Sequence, residues 1–331
     1  MRSKPTNLKY LTSGVMPKSA ICTLFEGAYH YGVGSLVNSV YQHGFRGTIW
    51  AGYRGELPPW AEPLRSTNRG HAFDVGEGCT IQFVLLDTST FFSNYKPHFL
   101  LEVWKHTDED TRLFYFDPDI VTKCRWSFFE EWVDSGVALC LDNAYPYMPA
   151  SHPLRNGWRA FAEDLELDTR RSPNHYFNAG FIGVRREHRQ LLVVWRDLME
   201  ALRESGINIE SFKNYEGYND IDRSHPFYVA DQDALNLAIM IEDVPLSIMG
   251  TEGMDFTGAG FTMSHAVDAP KPWDKNITAK LLTDGSLAGL SDREFLSYID
   301  EPIELYPPLT QRLKWIDFYL SKIIGSFFHR H

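Results

Sequence analysis

Two carboxylates one residue apart, Asp117 and Asp119, follow directly on the apolar run Phe114-Tyr115-Phe116. In an extended segment the side chains of residues i and i+2 point the same way. If the run is a parallel strand, both carboxylates aim at the crevice where open α/β sheets bind ligands. Hard oxygen donors suit magnesium or manganese, ions that commonly hold a diphosphate at the same time. Asp-Pro-Asp also spells an ordinary turn, so the pair alone leaves both readings open.

Three further clusters carry polar chemistry. His265 ends an apolar run that begins at Ala259, and Lys271-Pro272-Trp273 follows it. Imidazole is a good manganese ligand and an ammonium is a compact point charge for phosphate, although a lone histidine is more often structural than a ligand. Asp231-Gln232-Asp233 opens a helical pattern. Acidic residues there suit the helix N-terminus electrostatically, and three polar side chains in a row also suit a sugar, which needs dense hydrogen bonding. Asn178-Ala179-Gly180 places small residues beside an amide, allowing close approach of the backbone.

The elements that must position these residues alternate. Short runs rich in branched and aromatic residues at 20–25, 48–53, 79–86, 113–116, 137–141 and 181–184 read as strands. Helical spacing follows the first of them through Val33, Leu36, Val37, Val40 and Tyr41, and follows the last through Leu191, Val194, Trp195, Leu198 and Leu202. Pro97 reads as the first turn of a helix running to about His106. Strand, helix, strand in this order predicts an α/β fold whose mostly parallel central sheet is covered by helices on both faces. Segments 143–176 and 205–228 break the pattern and read as loops or small helical insertions.

The chain has 331 residues, 44% hydrophobic and 23% charged, enough to bury a sizeable core. A net charge of -11 argues against nucleic-acid partners, which need a basic surface. Cys22, Cys79, Cys124 and Cys140 form no C-x-x-C pair, and the first, second and fourth lie in apolar runs. Reduced, buried thiols and a cytoplasmic location are the expectation. The first twenty residues lack the apolar core of a signal peptide, and no run is long and apolar enough to span a bilayer. There is no P-loop and no G-x-S-x-G elbow, and Gly32-x-Gly34 lacks the third glycine of a dinucleotide fingerprint.

In order and spacing, these blocks resemble the glycogenin-like family of retaining glycosyltransferases, family 8, which includes bacterial lipopolysaccharide galactosyl- and glucosyltransferases. The resemblance runs from about Ile21 to Trp273. It implies a GT-A fold, a UDP-sugar donor, manganese (or magnesium), a glycan or lipid-linked acceptor, and retention of anomeric configuration. It further implies that Thr23 and Leu24 contact the base and ribose through their backbone and that Tyr29 stacks on the uracil. By the same resemblance Lys96 binds the donor, Asp117-Pro118-Asp119 is the D-x-D motif, and His265 is the third metal ligand. Lys271 would bind the diphosphate, Asn178, Ala179 and Gly180 the transferred sugar, and Asp231 or Gln232 would stabilise the sugar cation. Two positions depart from the pattern: Asp268 stands where the family has glycine, and Gly27 where it usually has an acidic residue.

The implied organisation is an extension at 1–19, a catalytic domain at 20–275 and a helical region at 276–331. In the last, Ile316, Tyr319, Leu320, Ile323 and Phe327 fall on one helical stripe with Phe328 alongside, and Arg312, Lys314, Lys322, His329 and Arg330 are basic. Such a helix lies on the inner face of the cytoplasmic membrane or packs on the protein body. A sugar nucleotidyltransferase and an inactive carbohydrate-binding relative remain as alternatives. The first usually grips a triphosphate with a basic glycine-rich loop, and 27–34 offers only His30.

Overall fold

The computed structural model describes residues 19–207, 209–210 and 224–328. Most of the 205–228 insertion, the N-terminal extension before Ser19 and the basic residues His329 and Arg330 lie outside the described residues. In chain order the strands and helices are β1 (Ser19–Glu26), α1 (His30–Gln42), β2 (Gly47–Arg54), β3 (Arg65–Thr67), β4 (Gly70–Gly76), β5 (Cys79–Leu85) and α2 (Phe92–Trp104). Then come β6 (Arg112–Phe116), β7 (Ile120–Thr122), α3 (Trp126–Asp134), β8 (Val137–Cys140), α4 (Pro153–Asp164), β9 (Phe181–Val184) and α5 (Arg189–Glu204). The rest are α6 (Ala230–Ile241), β10 (Leu246–Met249), β11 (Met263–His265), α7 (Ile277–Asp284), α8 (Leu290–Leu296) and α9 (Pro308–Phe328).

Among the described residues, nine strands form one sheet in the order β10-β8-β9-β6-β1-β2-β5-β4-β3. β1 pairs in parallel with β2 and β6, β2 with β5, and β8 with β10, while β9 and β4 run against their neighbours. This is the α/β, mostly parallel sheet flanked by helices that the sequence predicts. One core contains Trp104, Trp158 and Trp195 with α2, α5 and α6, and the other contains α1, α3 and the aromatic cluster Phe114, Phe116, Phe129 and Phe181. Cys22, Cys79 and Cys140 are buried and all four thiols are free.

The helix expected to start at Pro97 starts five residues earlier, at Phe92, and ends at Trp104. Proline in a helix interior removes a backbone hydrogen bond and usually costs about 3 kcal/mol. Here Phe92, Lys96 and Phe99 are all buried, and that packing overrides the local signal. Strands β3, β4, β7 and β10 were not legible; each is short or polar, and β3 and β4 form an antiparallel hairpin at the sheet edge. Segment 143–176 carries a true helix, α4, on which Trp158 is fully buried.

The C-terminal helices are part of the body. Asn38 in α1 donates from Nδ2 to the carbonyls of Tyr298 and Ile303, each at 2.9 Å, and accepts from the Ile303 amide. On α9, Asp317 accepts from the amides of Ile277 and Thr278 at 2.7 and 3.0 Å, capping α7, and Phe318 is 1% exposed.

Candidate active site

The site assembles where β1, β6 and the β7–β11 ribbon end. β6 delivers Asp117, whose amide donates to the Gly180 carbonyl at 2.7 Å. The chain then turns through Pro118 and Asp119 into β7, with the Ile120 amide bonded to the Asp117 carbonyl. Asp-Pro-Asp is therefore both a turn and a carboxylate pair. β7 pairs antiparallel with β11 so that His265 faces Ile120, and the Ala266 amide donates to the Asp119 carbonyl at 3.0 Å. That register brings residues 117, 119 and 265 together from far apart in sequence.

One donor atom from each of Asp117, Asp119 and His265 lies within 4.8 Å of the others. His265 Nε2 is 3.2 Å from Asp119 Oδ1 and 3.8 Å from Asp117 Oδ2, while its buried Nδ1 has no hydrogen-bond partner. A Cβ on Gly180 would stand 2.6 Å from His265 Cε1 and 2.8 Å from Asp117 Oδ2. Only glycine lets the backbone pass this close. Two carboxylates and an imidazole nitrogen within this distance of one another could hold a divalent metal ion.

Two lysines surround the carboxylates. Lys96, 2% exposed, donates to Asp231 Oδ2 at 3.0 Å and the Ala179 carbonyl at 3.1 Å, and it pairs with Asp117 at 3.1 Å. Burial alone would lower its ammonium, but Asp117 and Asp231 raise it overall. Lys271 donates to Asp119 Oδ2 at 2.7 Å and to the Ala266 carbonyl at 2.6 Å. Burial works against the Asp119 carboxylate, yet His265 and Lys271 hold it below the usual range.

A cleft of about 300 Å³ opens from this cluster toward the end of β1, lined by Leu24, Glu26, Tyr29, Tyr115 and Lys271 among others. That volume suits a small-molecule ligand. Tyr29 is 37% exposed, its ring edge-to-face with Trp273 at 5.1 Å. Gly32, one turn on, has no room for a Cβ against the Trp273 ring and the Pro118 carbonyl. The Pro-Trp of 272–273 thus buttresses the aromatic platform. Thr23 is fully buried and does not line the cleft with its side chain.

The residues expected at the sugar are tied to this cluster by hydrogen bonds. Gln232 Oε1 accepts from the Ala179 amide at 2.9 Å, and Asn178 Oδ1 accepts from the Gly180 amide at 2.8 Å. Asp231 pairs with Lys96 as described, its carboxyl raised by burial against the pull of that lysine. Of the expected residues, Leu24, Tyr29, Asp117, Asp119, His265 and Lys271 line the cleft, and Lys96, Asn178, Ala179, Gly180, Asp231 and Gln232 connect to that cluster through the contacts above. Glu26, which lines the cleft, is held by Arg54 at 3.0 Å, and sequence reading missed Tyr115, whose hydroxyl donates to Asp117 Oδ1 at 3.0 Å. It also missed Asp142, at the end of β8. Tyr115 alternates with Asp117 along β6 and was findable by period; Asp142 carried no local signal.

Neither a known protein family nor a curated protein matches the sequence. Solved structures do. The bifunctional glycosyltransferase WbbM is 15% identical with a TM-score of 0.51 over 93% of this chain, which spans about half of WbbM, 53%. The fold is shared with a glycosyltransferase. The arrangement is thus the GT-A one that the sequence led us to expect. Also similar are the glycosyltransferase GlyE of Streptococcus pneumoniae TIGR4, 14% identical with a TM-score of 0.48 over 92% of this chain and 64% of GlyE, and the galactosyltransferase LgtC with donor and acceptor sugar analogues, 14% identical with a TM-score of 0.47 over 89% of this chain and 99% of LgtC.

Proposed function

We propose that this chain is a metal-dependent glycosyltransferase that moves a hexose from a UDP-sugar to a glycan or lipid-linked acceptor, with retention of anomeric configuration. The observation that carries this reading is the convergence of Asp117, Asp119 and His265, flanked by Lys96 and Lys271, at the strand ends of a glycosyltransferase fold. A bound manganese would neutralise charge on the departing diphosphate, the chief charge that develops during transfer. Asp117, Asp119 and His265 would hold that ion. Lys271 would move from Asp119 to a diphosphate oxygen, and Tyr29 would stack on the uracil. Lys96 ties the metal-binding carboxylate Asp117 to Asp231 and so keeps the metal end and the sugar end in register. Asn178, Asp231 and Gln232 would face the transferred sugar, with the leaving phosphate taking the acceptor proton.

The exposed stripe of α9 bears on the acceptor. Ile316, Tyr319, Leu320, Ile323 and Phe327 are 45–68% exposed, and the opposite face of the helix docks on the body through Asp317 and Phe318. The carboxylate of Asp317 is occupied in capping α7. No helix among the described residues is long and apolar enough to cross a membrane, so the stripe would lie on an anionic surface and present a lipid-linked acceptor, such as a surface-polysaccharide intermediate, to the cleft.

Calorimetry tests the site. UDP binds in manganese and binds far less without it. Asp119→Asn, still folded, loses more than the roughly 10–100-fold in metal affinity that an outer-shell change costs and loses transfer with it. Full activity of that variant in chelator would sink the metal assignment, and GDP binding as tightly as UDP would replace the uracil. Proton NMR of the product reads the anomeric configuration, which retention makes α from an α-linked donor.

A further inference from the structure

Asp142 is buried, 7% exposed, at the end of β8, and among the described residues it has no cationic partner. Its oxygens are satisfied by three N–H donors. Oδ2 accepts from Asn178 Nδ2 at 2.7 Å and from Gln232 Nε2 at 3.2 Å, and Oδ1 accepts from the Ala144 amide at 2.7 Å. Its own amide donates to the Tyr176 carbonyl, two residues before Asn178. One carboxylate oxygen therefore grips both side-chain amides that the proposed function assigns to the transferred sugar.

Each of those amides is fixed at both ends. Asn178 accepts from the Gly180 amide and Gln232 from the Ala179 amide, so the oxygens face backbone donors and the nitrogens face Asp142. Turning either amide over would set an oxygen against the carboxylate and an NH2 group against a backbone N–H. Both contacts are repulsive, and in a buried site they are expensive because the alternative is an unsatisfied polar group. A neutral residue at 142 would remove the charge that makes the choice one-sided.

We infer that Asp142 is a positioning residue, which locks the orientation of Asn178 and Gln232 and so fixes the hydrogen-bonding pattern that the cleft presents to the transferred sugar. This rests on the function proposed above, since it assigns the sugar end of that same site. Asp142 acts through two other side chains and is not one of the three residues that converge as the candidate metal site. Its loss therefore affects turnover and spares metal and nucleotide binding.

The test compares Asp142→Asn, of equal size, with Asp142→Ala. For both, UDP affinity in manganese and donor KM stay within about threefold of the parent, while kcat falls about a hundredfold, the loss that a misplaced reacting group brings. A parent-like kcat, or a fall in UDP affinity as large as the fall in kcat, overturns the inference, the second because it marks a general structural defect. If Asp142→Ala does not fold, the isosteric Asp142→Asn carries the comparison. A readout independent of substrate keeps this claim separate from the proposed reaction. The side-chain amide protons of Asn178 and Gln232 exchange slowly with solvent in the parent and at least tenfold faster in Asp142→Asn. Unchanged exchange overturns the positioning role even in a protein that transfers sugar. Faster exchange supports it even where the parent binds no UDP, a result that would retire the proposed function alone.

Discussion

At the scale of single residues, Gly180 makes the strongest demand. Its missing side chain leaves the space in which His265 and Asp117 approach each other, and a methyl group would fall 2.6 and 2.8 Å from their atoms. Gly180→Ala must push one of these two side chains aside. The expected cost is about 1–3 kcal/mol in stability and a loss of manganese affinity of roughly tenfold or more, read by denaturant melts and calorimetry. Lys271 makes the opposite prediction. It pairs with Asp119 Oδ2 at 2.7 Å, the carboxylate that a metal would share, so cation and ammonium compete. Lys271→Met should bind manganese more tightly than the parent when no nucleotide is present and bind UDP more weakly when manganese is saturating. Equal manganese affinity would show that the pair opposes nothing. These residues drew notice by their places, Gly180 beside Asn178-Ala179 and Lys271 shortly after the apolar run that ends in His265. Asp142 did not. It follows a strand and precedes Asn143-Ala144, which reads as a turn, and its partners arrive from 36 and 90 residues away.

At the scale of elements, the buried strands announced themselves by unbroken apolar runs, and β9 emerged at its expected residues, Phe181–Val184. Elements held by tertiary contacts did not. β7 is three residues long and exists because β11 pairs with it; α2 runs through Pro97 because its buried face decides. The C-terminal helix shows both sides of this. Its apolar stripe was readable from spacing, but which face docks was not, because the docking face holds Phe318, Ser321 and the capping Asp317 rather than the most hydrophobic residues. Two substitutions five residues apart separate the faces. Phe318→Ala should destabilise the protein by about 3–5 kcal/mol, the usual range for emptying a buried aromatic site. Ile323→Ser, on the 57% exposed side, should stay within about 0.5 kcal/mol of the parent and yet weaken binding to anionic vesicles. If Ile323→Ser melts as early as Phe318→Ala, the stripe is covered by protein and the membrane reading fails.

At the scale of the whole molecule, charge and hydrophobicity pull in different directions, and salt separates them. The chain carries a formal charge of -11, so its body is repelled by an anionic bilayer. The C-terminal helix carries Arg312, Lys314 and Lys322, with its single acid, Asp317, bonded to the amides of α7. At about 0.01 M salt the screening length is roughly 30 Å, and the acidic body feels the membrane along with the helix. At about 0.15 M that length falls to roughly 8 Å, so only the helix and the nearest surface remain within reach. Raising salt across this range therefore removes repulsion faster than it removes attraction. The apolar contribution, roughly 25 cal/mol for each Å² buried, does not depend on screening. Vesicle binding should accordingly strengthen from low to physiological salt and weaken only modestly toward 1 M. A helix working by basic residues alone would give a steady fall over the whole range, as polybasic attachment does. Cosedimentation with vesicles containing an anionic lipid, run at these three salt concentrations, distinguishes the two profiles. A monotonic loss would assign the attachment to charge, and no binding at any concentration would remove the membrane from the account of how this protein meets its acceptor.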